Sequence, residues 1–125
     1  MLTISSAYRY YLYRGQADMR KGFDGLCGVV RNELGKDPLS GEVFIFMNKR
    51  RNQVKVLLWE GDGFSMYYKR LEKGTYELPS CNEDNRCAEL KSDELILVLQ
   101  GISLQSVKKR KRFSFAERKS LNIAA

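Results

Sequence analysis

The chain has 125 residues, 43% of them hydrophobic, which suits one domain with a modest core, and no apolar run approaches the ~18 residues of a membrane span. It has no histidine, and its three cysteines, Cys27, Cys81 and Cys87, sit at spacings that match no zinc or redox motif. Ser-His and Cys-His catalysis and most catalytic zinc sites are thereby excluded, and no cofactor is expected. The formal charge of +7 is unevenly placed: residues 1–107 carry 15 Lys+Arg against 14 Asp+Glu, whereas residues 108–125 carry 7 against 1. A basic excess gathered at one end points to an arm for nucleic acid or an acidic partner. The opening stretch MLTISSAYRYYLYRG is too polar and aromatic for a secretory h-region, so a cytoplasmic protein with reduced thiols is expected, with no membrane partner.

In chain order, Tyr8 to Arg14 reads as an aromatic strand ended by Gly15. Asp18 is a candidate N-cap for a helix from about 19 to 34, because Met19, Phe23, Leu26, Cys27, Val30 and Leu34 fall in one stripe at helical spacing. Gly35 and Pro38 end it. This helix spends glycines at 22, 25 and 28, and cations at 20 and 21 in its first turn, where the dipole disfavours them. Gly25 and Gly28 lie away from the apolar stripe, beside Lys21. A bare strip there admits a close neighbour: a partner protein, a nucleic-acid backbone or another segment of the same chain.

Strands at Val43–Met47, Val54–Glu60 and Phe64–Leu71, with a fourth at Thr75–Leu78, read as an antiparallel meander joined by NKRRNQ and GDG turns. A three-residue Gly61-Asp62-Gly63 loop pairs Leu58 with Met66 and places Lys55, Leu57, Trp59, Tyr67 and Lys69 on one face; it is preferred because it segregates the faces better than a four-residue loop, which mixes Lys55 and Trp59 with Phe64 and Met66. Residues 80–91 read as irregular, and Ser92 caps a short helix stopped by Gly101. The expected fold is therefore α+β: an antiparallel β-meander of about four to five strands on one main helix, with a short C-terminal helix. Residues 1–107 form a single domain and 108–125 a basic tail.

Aromatics interleaved with cations on a sheet can stack on bases and contact phosphates. The candidates are Lys55, Trp59, Tyr67, Lys69 and Arg70, with Lys49, Arg50 and Arg51 in the adjoining turn. The alternative is that a helix covers this face and that the turn is merely solvated. Lys108, Lys109, Arg110, Lys111 and Arg112 form a second candidate, a phosphate-binding arm. Arg20, Lys21 and Gly25 form a third, for an anion or an acidic partner. The carboxylates Asp18, Asp24, Asp37, Glu60 and Asp62 form no recognisable metal-ligand pattern, so no catalytic or metal site is assigned.

Three blocks are specific in combination: DMRKGFDGL (Asp18 to Leu26), DPLSGEVFIF (Asp37 to Phe46) and LLWEGDGFSMYYKRLEKG (Leu57 to Gly74). From about Tyr8 to Leu104 the chain resembles the TnpB-type accessory proteins encoded by the second reading frame of the insertion-sequence-sixty-six family of bacterial transposable elements. The resemblance implies a transposition role beside a separate transposase, with no catalytic residue to carry over. Two classes of function follow: a DNA-associated accessory factor, or a protein–protein adaptor for the transposase that never touches DNA. A small metal-dependent nuclease is the disfavoured third.

Overall fold

The computed structural model describes residues 4–78 and 87–100. The elements run β1 (Tyr10–Tyr13), α1 (Phe23–Asn32), β2 (Val43–Met47), β3 (Gln53–Trp59), β4 (Phe64–Arg70), β5 (Cys87–Leu90) and α2 (Ser92–Leu99). They build an α+β fold around one five-stranded sheet in the order β4-β3-β2-β1-β5. β2, β3 and β4 form an antiparallel meander, as the alternating apolar runs and polar turns predict. β1 departs from that pattern: it lies parallel to β2 and antiparallel to β5, so the sheet is mixed. A parallel neighbour needs a crossover, and α1 supplies it between β1 and β2.

The helices cover opposite faces. Leu95 and Val98 of α2 pack with Tyr10, Leu12, Val43, Ile45, Val54, Val56 and Leu58. Leu26, Cys27 and Val30 of α1 pack with Tyr11, Phe44, Phe46 and Leu57. All five residues of β2 are buried, which explains why Val-Phe-Ile-Phe-Met shows no polar alternation. Among the described residues no helix is long and apolar enough to cross a membrane.

Four local expectations are corrected. The helix expected from 19 starts at Phe23, with Gly22 at its cap and no side-chain cap bond; Asp18 instead accepts the Arg20 N–H at 2.9 Å. The fourth meander strand at Thr75–Leu78 does not form. Tyr76 is buried on the α2 face, and its N–H reaches the Arg51 carbonyl at 2.6 Å. The fifth strand is Cys87–Leu90, inside the stretch read as irregular, where Ala88 and Leu90 turn inward against β1. Ser92 begins α2 instead of capping it; the cap is Lys91, whose N–H donates to Glu94 Oε1 at 3.0 Å.

The β3–β4 register also differs from the three-residue loop. Trp59 pairs with Phe64, Leu57 with Met66, Val56 with Tyr67 and Lys55 with Tyr68. The positive φ of +94° falls on Gly61, not Gly63, and the Glu60 N–H closes the turn on the Gly63 carbonyl at 2.9 Å. A glycine at the first of two central positions is what a II′ hairpin turn requires. Gly61→Ala is therefore expected to lower stability by roughly 1–2 kcal/mol. Gly63→Ala, where an added Cβ meets nothing within 4 Å, should change it by less than about 0.5 kcal/mol. Urea unfolding midpoints of the two variants check the register.

Candidate nucleic-acid interface

Antiparallel pairing carries the Asn48–Asn52 turn to the same end of the sheet as the C-terminal end of β4. Gln53 stands opposite Arg70 and Val54 opposite Lys69. Beyond the strands the Leu71 N–H reaches the Asn52 carbonyl at 2.7 Å, and the chain returns when Tyr76 bonds Arg51. Lys49, Arg50, Arg51, Lys69, Arg70 and Lys73 are thus gathered at one end of three adjacent strands, a width of about 10 Å, and all are exposed. Glu72 sits among them and pairs with Arg70 at 3.2 Å, an exposed contact of little energetic weight.

The turn is held by side chains. Asn48 Oδ1 accepts the backbone N–H of Asn52 at 3.0 Å and of Gln53 at 3.1 Å, while Asn48 Nδ2 donates to Asn52 Oδ1 at 2.7 Å. Arg51 takes a positive φ of 56°, unusual for a non-glycine residue, and its carbonyl holds Tyr76. The cations therefore project from a turn with a defined shape. At the other end of the strands carboxylates outnumber cations: Glu42 before β2, Glu60 and Asp62 between β3 and β4, Glu89 near the end of β5, and Asp93 and Glu94 at the start of α2, against Arg9 and Lys91. The nearly neutral body is electrostatically polar along the strand axis.

The expected aromatic–cation face is not a single surface. With the observed register, Lys55, Leu57, Trp59, Phe64, Met66 and Tyr68 share the α1 face, whereas Tyr67 and Lys69 lie on the α2 face. Lys55 is also not a solvent cation: it is 6% exposed, and its Nζ donates to the carbonyls of Met19 and Lys21, each at 2.8 Å. Its ammonium lies 4.6 Å from the centre of the Tyr68 ring. Burial of a charge this deep requires such partners, so Lys55 fixes the approach to α1 and is unavailable to a phosphate.

This arrangement explains the DMRKGFDGL block. Its 19–21 segment is shaped to aim two carbonyls at Lys55, which leaves no room for a helix start at Asp18. The Arg20 guanidinium points outward and forks onto Asp18, at 3.0 and 2.8 Å. That contact holds the Asp18 carboxyl down to about 2. A Cβ on Gly25 would come within 2.9 Å of Lys21 Cβ, so the close neighbour there is the same chain; at Gly28 a Cβ would meet nothing within 4 Å. Phe23, expected inward with Leu26, is 45% exposed and stacks on Phe64 with centroids 6.4 Å apart, and Phe64 meets Trp59 edge-on at 4.9 Å. Lys108 to Arg112 lie outside the described residues.

Sequence reasoning missed Lys73 and the surface pair Phe23–Phe64. The pair's signal is the glycine at position 61, which sets the register that brings Phe64 to the α1 face. Among the described residues, no three His, Cys, Asp or Glu side chains converge as a metal site.

Two measurements test these contacts. Lys55→Met should lower stability by roughly 2–3 kcal/mol, because two carbonyls lose a charged donor, as read from urea unfolding. The Asp18 carboxyl should titrate near 2 by NMR and return toward 3.8 in Arg20→Ala. Because the folded value is depressed, the stabilisation from this pair is present above the ordinary carboxylate value and is lost as pH falls through about 2.

Comparison with known proteins agrees with the sequence motifs. The family model described as IS66 Orf2 like protein matches residues 8–109. The chain is similar to two proteins of Sinorhizobium fredii (strain NBRC 101917 / NGR234). It is 27% identical to the uncharacterized protein y4jC over 110 residues, 88% of this chain and 92% of the relative. It is 30% identical to the uncharacterized protein y4hO over 102 residues, 82% of this chain and 87% of the relative. No solved structure matches the chain. With the match spanning most of its length, the chain belongs to the IS66 Orf2-like family of insertion-sequence proteins.

Proposed function

We propose that the protein is a non-catalytic accessory factor of insertion-sequence transposition, acting in the cytoplasm beside a separate transposase and holding DNA through the basic end of its sheet. The observation that carries this reading is the Asn48-braced turn, which sets Lys49, Arg50 and Arg51 beside Lys69 and Arg70. Cations on a shaped turn bind a polyanion with less ordering cost than the same cations on a mobile chain. The opposite end carries carboxylates, so a DNA duplex would be met basic end first. The contact is with phosphates, which positions the protein and leaves sequence unread. Lys108 to Arg112 would extend the same electrostatic grip along the duplex. The alternative, an adaptor that touches only the transposase, draws support from the exposed Phe23 ring on Phe64.

The test is binding to a DNA fragment carrying the element's end, across a salt series. Wild-type affinity should fall steeply as salt rises. Arg50→Ala should weaken binding and reduce the salt slope by about 1. Asn48→Ala, which removes no charge, should weaken binding with the slope retained. Absence of binding at about 50 mM salt overturns the DNA reading. Retention of transposase by the wild type but not by Phe23→Ser would then favour the adaptor.

A further inference from the structure

The two edges of the sheet are unlike. β5 is an edge of four residues. β4 is an edge of seven, Phe64 to Arg70, without proline or glycine, and its pairing with β3 runs unbroken from Trp59–Phe64 to Gln53–Arg70. Among the described residues nothing pairs with its outer side. Natural edges avoid unwanted pairing by being short, by proline, by bulges or by charge. β4 has only the last of these, in Lys69 and Arg70 at one end.

The direction of its backbone groups follows from the bonds that flank it. Glu60 bonds Gly63, and Leu71 bonds Asn52. In an antiparallel ladder, bonded positions alternate, so Ser65, Tyr67 and Lys69 face β3. Phe64, Met66, Tyr68 and Arg70 turn their N–H and C=O groups outward.

We propose that a second copy of this chain pairs with β4, antiparallel across a two-fold axis at Tyr67, to make a continuous ten-stranded sheet. In this register Met66 bonds the partner's Tyr68 and Phe64 bonds the partner's Arg70, so all four outward positions are used on each strand. A shift of the axis to Met66 or Tyr68 leaves one outward position on each strand unpaired. The charges select the same occupant. Ser65 stands opposite the partner's Lys69, and the Ser65 hydroxyl donates to the Glu60 carboxylate. Glu60 is thereby held where the partner's Lys69 arrives. The partner's Arg70 arrives at the Phe64 ring, a cation–aromatic contact. The basic end of each copy meets the acidic end of the other. Against an unrelated strand, Lys69 and Arg70 discourage pairing; against a second copy they are matched. The pairing draws Lys69 and Arg70 into the interface and leaves Lys49, Arg50, Arg51 and Lys73 outside it, so the two readings share the end of β4 but are tested at different residues.

Sedimentation of the full chain in the micromolar range should give twice the 14.5 kDa of the chain. The two Tyr67 residues form a non-bonded antiparallel pair with Cα atoms about 4.5 Å apart, within disulfide range. Under mild oxidation Tyr67→Cys should yield a covalent dimer linked 67 to 67 by mass spectrometry, and Ser65→Cys should not link to itself. Glu60→Lys and Lys69→Glu should each loosen the dimer by about tenfold, and the double reversal should restore it. A 14.5 kDa species at every concentration overturns the proposal. So does a dimer that links through residue 65 instead of 67, or one indifferent to both charge reversals.

Discussion

The ammonium of Lys55 is the interaction on which the rest of the structure depends. It leaves the middle of the sheet on the α1 face and is satisfied by the carbonyls of Met19 and Lys21. An uncompensated charge there would cost several kcal/mol, so the segment before α1 has little freedom to move. That constraint accounts for features that look unfavourable when the segment is read as a helix. A chain bent to present two carbonyls inward cannot also begin a helix at Asp18. It carries Arg20 outward, where Asp18 takes it, and needs Gly25 to let the Lys21 side chain lie back against the first turn. The cations of this block are not in a helical first turn, so the helix dipole does not oppose them.

Lys55 also sets the surface. It belongs to the α1 face, and with it come Trp59 and, across the hairpin, Phe64, Met66 and Tyr68. Gly61 makes the turn that gives this pairing. A shift of one residue would send each of those β4 side chains to the opposite face. One buried amine and one left-handed glycine together decide which aromatics reach solvent and which backbone groups of β4 point away from the protein.

Local patterns in the sequence were sufficient for much of the fold. The stripe of Leu26, Cys27 and Val30 announces α1, Gly35 stops it at a φ of +63°, and β2, β3 and β4 follow from apolar runs divided by polar turns. The basic turn at Lys49 to Arg51 is plain in the sequence as well. What was not legible is non-local. β1 and β5 are separated by over seventy residues, and Cys-Ala-Glu-Leu is too short to declare itself a strand until Tyr10 to Tyr13 lies beside it. The face assignment failed for a different reason. Lysine is almost never fully buried, so segregating polar from apolar residues puts Lys55 in water and pulls the hairpin into the wrong register. The separate arrival of Met19 and Lys21 at that amine cannot be inferred from alternation.

Two groups among the cations of the body do different work. Lys55 works inside, where its ammonium is satisfied by peptide carbonyls and is not available for contact with a partner. Lys49, Arg50, Arg51, Lys69, Arg70 and Lys73 work outside, at one end of the sheet, with Glu42, Glu60, Asp62, Asp93 and Glu94 at the other. Counting charges along the sequence hides this, because residues 1–107 sum to almost nothing. A small body with opposed ends turns in the field of a polyanion before it touches, so its first contact is already the basic end. The same polarity favours two copies lying side by side and antiparallel. Net charge alone would place the basic character of the chain in the tail; the arrangement of β2, β3 and β4 gives the folded domain a basic end of its own.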